Sequence, residues 1–173
     1  MEASATSPTQ TTFRIRAADG LELFTYRWLP VGSPRGVVQI AHGLAEHAGR
    51  YARLAESLTG AGYAVYAHDH RGHGRTADSA EQLGFFARES GWQKCIDDLW
   101  QVNHTVAAEQ PGVPIILIGH SMGSTMAARF ISQQGTALAG VVLSGASGQP
   151  TPLALAGRLI TRLERLRLGA TGH

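Results

Sequence analysis

The chain has 173 residues, 43% of them hydrophobic, with 21 Gly and 7 Pro, which suits one domain with a real core and excludes a low-complexity chain. Its 15 basic and 13 acidic residues leave a formal charge of +2, which gives no electrostatic reason to expect nucleic acid as a partner. The one cysteine, Cys95, excludes an internal disulfide and fits a reducing, cytoplasmic setting.

Residues 1–12 are polar and carry no Lys or Arg, so they read as a disordered leader rather than a secretory signal. No run of 18 apolar residues occurs, so no membrane span is expected. Phe13 to Arg16 alternates apolar and polar, as a half-buried strand does, Asp19-Gly20 marks a tight turn, and Leu21 to Trp28 reads as the return strand. Pro30 to Gly36 is a loop. Val37 to Ala41 is a short apolar run, the pattern of a strand covered on both faces. Tyr51, Leu54, Ala55 and Leu58 follow at helical spacing, stopped by Gly60 and Gly62. Ala64 to Ala67 is the next strand. A longer helix opens at Ser90 or Gly91, carries Trp92, Cys95, Ile96, Leu99, Val102, His104 and Val106, and stops at Pro111. Ile115 to Ile118 is the most apolar strand, Met122 to Gln134 is helical, and Val141 to Leu143 reads as another buried strand. A hairpin followed by strand–helix alternation predicts an α/β fold, a mostly parallel sheet with helices on both faces.

The chemistry is concentrated at Gly119-His120-Ser121-Met122-Gly123, which fits G-x-S-x-G. The pattern alone is short. Its context is specific, because an apolar strand runs directly into it and a helix runs directly out. A serine lifted on such a turn has strained backbone, and side chains two residues to either side would collide with the neighbouring strand and helix, which calls for glycine at 119 and 123. The competing reading, that Ser121 merely caps a helix, leaves both glycines unexplained. His42-Gly43-Leu44 follows the strand at 37–41, and in this arrangement the loop there supplies one oxyanion N–H and the residue after the nucleophile the other. These donors would be Leu44 and Met122.

Four motifs in order, His42-Gly-Leu-Ala-Glu-His47, Arg50-Tyr51, His68-Asp-His-Arg-Gly-His-Gly74 and Gly119 to Gly123, resemble the monoacylglycerol lipase and lysophospholipase-like group of α/β-hydrolases, which includes serine aminopeptidase-type enzymes. The resemblance covers about residues 13–150. It implies an α/β-hydrolase fold with Ser121 as nucleophile, Leu44 and Met122 as oxyanion donors, Gly119 and Gly123 supporting the elbow, no cofactor, and a small lipid or ester as substrate. It also implies a lid after the strand at 141–143. The domain division expected is then a leader at 1–12, a hydrolase core at 13–150 and the start of a lid at 151–173. Pro152 can open the lid helix, and Leu155, Leu159, Leu163 and Leu166 form an apolar stripe beside Arg158, Arg162, Arg165 and Arg167. Such a helix at 152–168 suits peripheral contact with a membrane surface, or packing of its stripe on its own domain.

Several features depart from the family pattern. After Ser121 the acidic residue is Glu164 and the histidine is His173, neither at a strand end suited to a catalytic triad. Two further strands carrying the acid and the histidine, with the rest of a lid, need on the order of 100 residues. A chain truncated after the sixth strand is therefore expected, with little activity by itself. Ser124 stands where the family often has a third glycine. His68-x-His70-x-x-His73 has metal-ligand spacing but lacks the acid before its last histidine, so no metal is expected. Cys95 reads as packed, Asp97 and Asp98 as solvated, and Glu46 and His47 as a pocket rim or a surface turn. The function expected of the full-length form is serine hydrolysis of lipid-type carboxylic esters. The alternatives are a thioesterase, aminopeptidase or C–C hydrolase sharing the elbow, or a non-catalytic remnant or binding module.

Overall fold

The computed structural model describes residues 9–146 and 152–169. Strand β1 (Thr9–Arg16) turns at Gly20, whose φ of +90° only glycine adopts readily, into β2 (Glu22–Leu29). β1 therefore extends the alternating run upstream of Phe13 and takes in residues 9–12 of the expected leader. Residues 1–8 lie outside the described residues. The chain continues through β3 (Gly36–Ala41), α1 (Ala52–Gly60), β4 (Tyr63–His68), α2 (Gly91–Glu109), β5 (Ile115–His120), α3 (Met122–Gln134), β6 (Gly140–Ser144) and α4 (Pro152–Leu168).

The six strands form one sheet in the order β1-β2-β4-β3-β5-β6. β1–β2 and β2–β4 are antiparallel, while β4, β3, β5 and β6 run parallel. β3 lies between β4 and β5, and all six of its residues are buried. The two-residue period divides its side chains between two cores. Val38 and Ile40 pack with Val65, Ala67 and Ala55 of α1. Val37 joins Val102 and Val106 of α2, and Ala41 joins Leu99 of α2 with Met126 and Phe130 of α3. Gln39, fully buried on the α2 side, donates to the Leu99 carbonyl (3.0 Å) and accepts from the Asn103 side chain (2.9 Å). Cys95 is buried as expected, with its thiol pushed up to about 12 by burial. Trp92 and His104 lie on the exposed face of α2 instead of in its apolar stripe.

Two expectations fail for tertiary reasons. Val141–Leu143 is not buried: β6 is the sheet edge among the described residues, with β5 on one side and no strand on the other, and these three side chains are 36–49% exposed. Asp98 is not solvated. Its helix position faces the loop after β4, and its carboxylate grips the Arg71 guanidinium at 2.5 and 2.8 Å. Asp19, from the β1–β2 turn, holds the other edge of the same guanidinium (2.8 Å twice) and also meets Lys94 (3.0 Å). Burial pushes the Asp98 carboxyl up against the pull of Arg71, while the hydrogen bonds from Arg71 hold the more exposed Asp19 well below the carboxylate range. This triad ties hairpin, loop and α2 together. Asp97, one position on, is exposed and accepts from Gln93.

Asp98→Ala should cost about 3–5 kcal/mol, because it strips one partner from a buried cation. A drop in the urea midpoint measures this, and an unchanged midpoint would show that the pair contributes nothing.

Candidate active site

The site lies at the carboxyl ends of β3 and β5, where the parallel strands deliver their loops to one edge of the sheet. β5 ends at His120 and α3 begins at Met122, so one residue, Ser121, makes the whole reversal. Its backbone sits at φ 51°, ψ −115°, one of three non-glycine residues with positive φ among those described. Such geometry costs on the order of 1–3 kcal/mol and persists only where neighbours over-determine it. The neighbours here are identifiable. The Ser121 N–H donates to the Ser144 carbonyl of β6 (2.8 Å), and its carbonyl accepts from the Ser124 N–H (2.9 Å) and hydroxyl (2.6 Å). Ser124, the departure from the family's third glycine, thus braces the turn.

The two elbow glycines are explained by backbone contact. A Cβ on Gly123 would run into the carbonyls of Ala41 and His42, and a Cβ on Gly119 into the Gly123 carbonyl and the Ser124 Cα. The crowding of the strands therefore forces glycine at both positions. At Gly43 the neighbours are side chains instead: a Cβ there would lie 2.8 Å from Glu46 Oε1 and 3.2 Å from the Ser121 Cβ. The loop after β3 thus runs against the serine. Ser121 itself is exposed, and among the described residues its hydroxyl has no hydrogen-bond partner.

The amides of residues 43–45 can be taken in turn. The Gly43 N–H donates to Glu46 Oε1 (2.5 Å), which also accepts from the Tyr51 hydroxyl (2.8 Å). The Ala45 N–H donates to His73 Nε2 (3.3 Å). The Leu44 N–H, between them, has no partner among the described residues. Glu46 is therefore a brace under the loop. Burial would raise its carboxyl, but the Gly43 and Tyr51 hydrogen bonds hold it below its ordinary value. His47 is exposed. The Met122 N–H opens α3, where helical geometry provides no internal acceptor.

The histidines with metal-like spacing are packed against one another. His68 and His70 at the end of β4 meet His42, with His42 and His70 ring centroids 4.0 Å apart. Their bonds fix each tautomer. His42 Nδ1 donates to the Gly43 carbonyl (2.8 Å), and its Nε2 accepts the His70 N–H (2.9 Å). His70 Nε2 donates to the His42 carbonyl (3.2 Å), leaving its Nδ1 to accept from His68 Nε2 (3.2 Å). His68 Nδ1 is then a buried lone pair without a partner. Burial keeps the rings of His42, His68 and His70 neutral. Burial drives His42 down to about 4 and His68 to about 3. Among the described residues no cluster of His, Cys, Asp or Glu has metal-binding geometry.

Asp69 was not anticipated, and it fastens the two loops. Its Oδ1 accepts from the Ala48 N–H (2.8 Å) and its Oδ2 from the Arg75 N–H (2.7 Å). A Cβ on Gly74 would strike that carboxylate, and Gly74 holds a positive φ. An open cleft of about 480 Å³, lined by Leu44, Ala45, His47, His73 and Leu83, adjoins the loop. Glu164 lies on exposed α4 beside Arg167 (3.9 Å). His173 lies outside the described residues.

A serine on a strained strand-to-helix elbow, over a mostly parallel sheet of this order, defines the α/β-hydrolase class. The family model "Serine aminopeptidase, S33" matches residues 32–170, and the chain belongs to that family. It is 37% identical over 126 residues to the monoglyceride lipase of Mus musculus, covering 73% of this chain and 40% of that protein. It is 34% identical over 139 residues to the monoacylglycerol lipase of Mycolicibacterium smegmatis, covering 80% and 48%. Among solved structures, a thermostable carboxyl esterase from Bacillus coagulans superposes with a TM-score of 0.82 at 28% identity, covering 93% of this chain and 52% of that one. The chain thus spans about half or less of the length of these relatives.

Two outcomes follow. Gly123→Ala should destabilise the fold by about 3 kcal/mol or more, at or above the top of the usual overpacking range, since only backbone could give way. Gly140→Ala, where nothing lies within 4 Å of the added carbon, is the control and should leave the urea midpoint nearly unchanged. Separately, His42 and His68 bind protons more readily unfolded, at the ordinary 6.5, than folded, at about 4 and about 3. Stability is therefore fully present above about pH 6.5 and is lost as pH falls toward 4, with His42 alone contributing about 3 kcal/mol over that window. Urea midpoints at pH 7 and pH 5 check this; equal midpoints would contradict it.

Proposed function

We propose that this chain carries the nucleophile and the oxyanion hole of a carboxylic ester hydrolase acting on lipid-type esters of the monoacylglycerol or lysophospholipid kind. The observation that carries the reading is the strained backbone of Ser121, wedged against the loop whose Leu44 N–H, unlike those of Gly43 and Ala45 to either side, has no partner among the described residues. In this reading Ser121 Oγ attacks the ester carbonyl carbon. The carbonyl π electrons move onto oxygen, where the N–H groups of Leu44 and Met122 hold the charge. Collapse expels the alcohol and leaves an acyl–Ser121, which water then cleaves. The Ser121 proton must pass to a base. Among the described residues no imidazole or carboxylate hydrogen-bonds that hydroxyl, so this chain contributes charge stabilisation and positioning while its own turnover is low.

The lipid-ester substrate class is supported by the names of the monoglyceride and monoacylglycerol lipase relatives. The same proposal makes α4 the start of a lid. Its Leu159, Leu163 and Leu166 are exposed and not packed on the core, which suits contact with acyl chains or a lipid surface. Among the described residues no helix is long and apolar enough to cross a membrane. A second reading, a binding module without catalysis, is favoured only by the unpartnered hydroxyl.

An elbow serine lacking its base still retains roughly 10³–10⁴-fold catalysis over water from the oxyanion hole and binding. Slow phosphonylation of Ser121 by a fluorophosphonate is therefore expected, located by mass spectrometry and absent in Ser121→Ala. A chain that never labels under prolonged exposure would favour the binding module.

A further inference from the structure

Resting on that reading, we propose that His73 and His42 are positioning residues for the oxyanion hole: one from each loop, they clamp the two peptide planes that flank Leu44.

The Gly43–Leu44 peptide unit contains both the Gly43 carbonyl and the Leu44 N–H. No peptide bond among the described residues is cis, so that carbonyl and that N–H point in opposite directions across one rigid plane. Whatever holds the carbonyl therefore aims the N–H. The holder is His42 Nδ1–H at 2.8 Å, in a ring that is buried and whose far nitrogen is already engaged by the His70 N–H. With its Nε2 committed as an acceptor, His42 keeps its proton on Nδ1, where the Gly43 carbonyl needs it.

The next plane, Leu44–Ala45, is held through the Ala45 N–H by His73 Nε2. His73 Nδ1 donates to the Arg71 carbonyl at 2.8 Å, which leaves Nε2 bare to accept. This bond has strain to oppose. Ala45 sits at φ 58°, a second of the three positive-φ non-glycine residues, and the other at this site is Ser121. An alanine in that region relaxes unless something holds it. His73 is itself buried, seated by Arg71, whose guanidinium is locked between Asp98 and Asp19. The third plane, His42–Gly43, is gripped at both ends by His70 Nε2 and Glu46. Three successive planes are thus fixed by side chains. The single N–H left over is the one the chemistry requires.

The test uses the 173-residue chain with His73→Leu and His73→Gln. Leucine keeps bulk and removes the acceptor; glutamine places an amide oxygen where Nε2 stood. Nitrogen-15 spectra should report His73 protonated on Nδ1. In His73→Leu the Ala45 amide should exchange at least about tenfold faster, the Leu44 amide resonance should move, and phosphonylation of Ser121 should slow by about 10–100-fold, short of the roughly 10²–10³-fold for losing an oxyanion donor outright. His73→Gln should recover all three readouts at an unchanged urea midpoint. His42→Asn, which keeps an N–H donor at the Nδ1 position, should likewise outperform His42→Leu. The clamp is overturned if His73→Leu leaves the Leu44 and Ala45 amides unmoved, or if glutamine recovers stability without recovering them. If the wild-type chain is never phosphonylated, the nucleophile assignment falls instead, and the amide readouts still decide the clamp.

Discussion

The close approach of two backbones, the end of β3 and the start of α3, sets the geometry of everything at this site. The Ala41 and His42 carbonyls occupy the volume that any Cβ at position 123 would need. Because α3 can come that near, the turn before it must be made by one residue, and Ser121 is driven to positive φ with its side chain turned outward. The same approach brings the loop after β3 against the serine, with Gly43 beside the Ser121 Cβ. Strain at Ser121 is offset by burial of α3 through Met126, Ala127 and Phe130, which seat it against α2 and β5.

Around that contact the molecule spends its buried polar groups on holding loops, because the strands end at the site and the segments beyond them have little apolar surface to bury. Asp69 fastens two such segments through backbone N–H groups, and the Arg71–Asp98–Asp19 triad fastens the loop after β4 to α2 and the first hairpin. The histidines do the finest work, since a neutral imidazole offers one donor and one acceptor in fixed opposition and so transmits orientation from one plane to the next. Their neutrality has a cost in acid, where burial opposes charging. Elsewhere β6 is exposed, and α4 turns Leu159, Leu163 and Leu166 to solvent.

How much of this could be read directly from the chain follows the range of the interactions. Hydrophobic period, turn residues and glycine spacing are local, and they determined the hairpin, the strand–helix alternation, the elbow at Ser121 and the oxyanion candidates Leu44 and Met122. The family resemblance, carried by four short motifs, rested on the same local signals. The tertiary structure decided the rest. Asp98 and Asp97 are adjacent acids on one helix, and only the packing of α2 against the loop at 69–74 makes one a buried partner of Arg71 and leaves the other in water. Val141–Leu143 has the composition of a covered strand, yet burial depends on neighbours supplied by other segments. The histidines of the 68–73 segment show only a metal-like spacing that lacks its acid, because their partners, His42 and Ala45, lie some 28 residues earlier. A sequence records which groups can donate and accept; which ones meet is settled by the sheet, whose order brings β3 between β4 and β5.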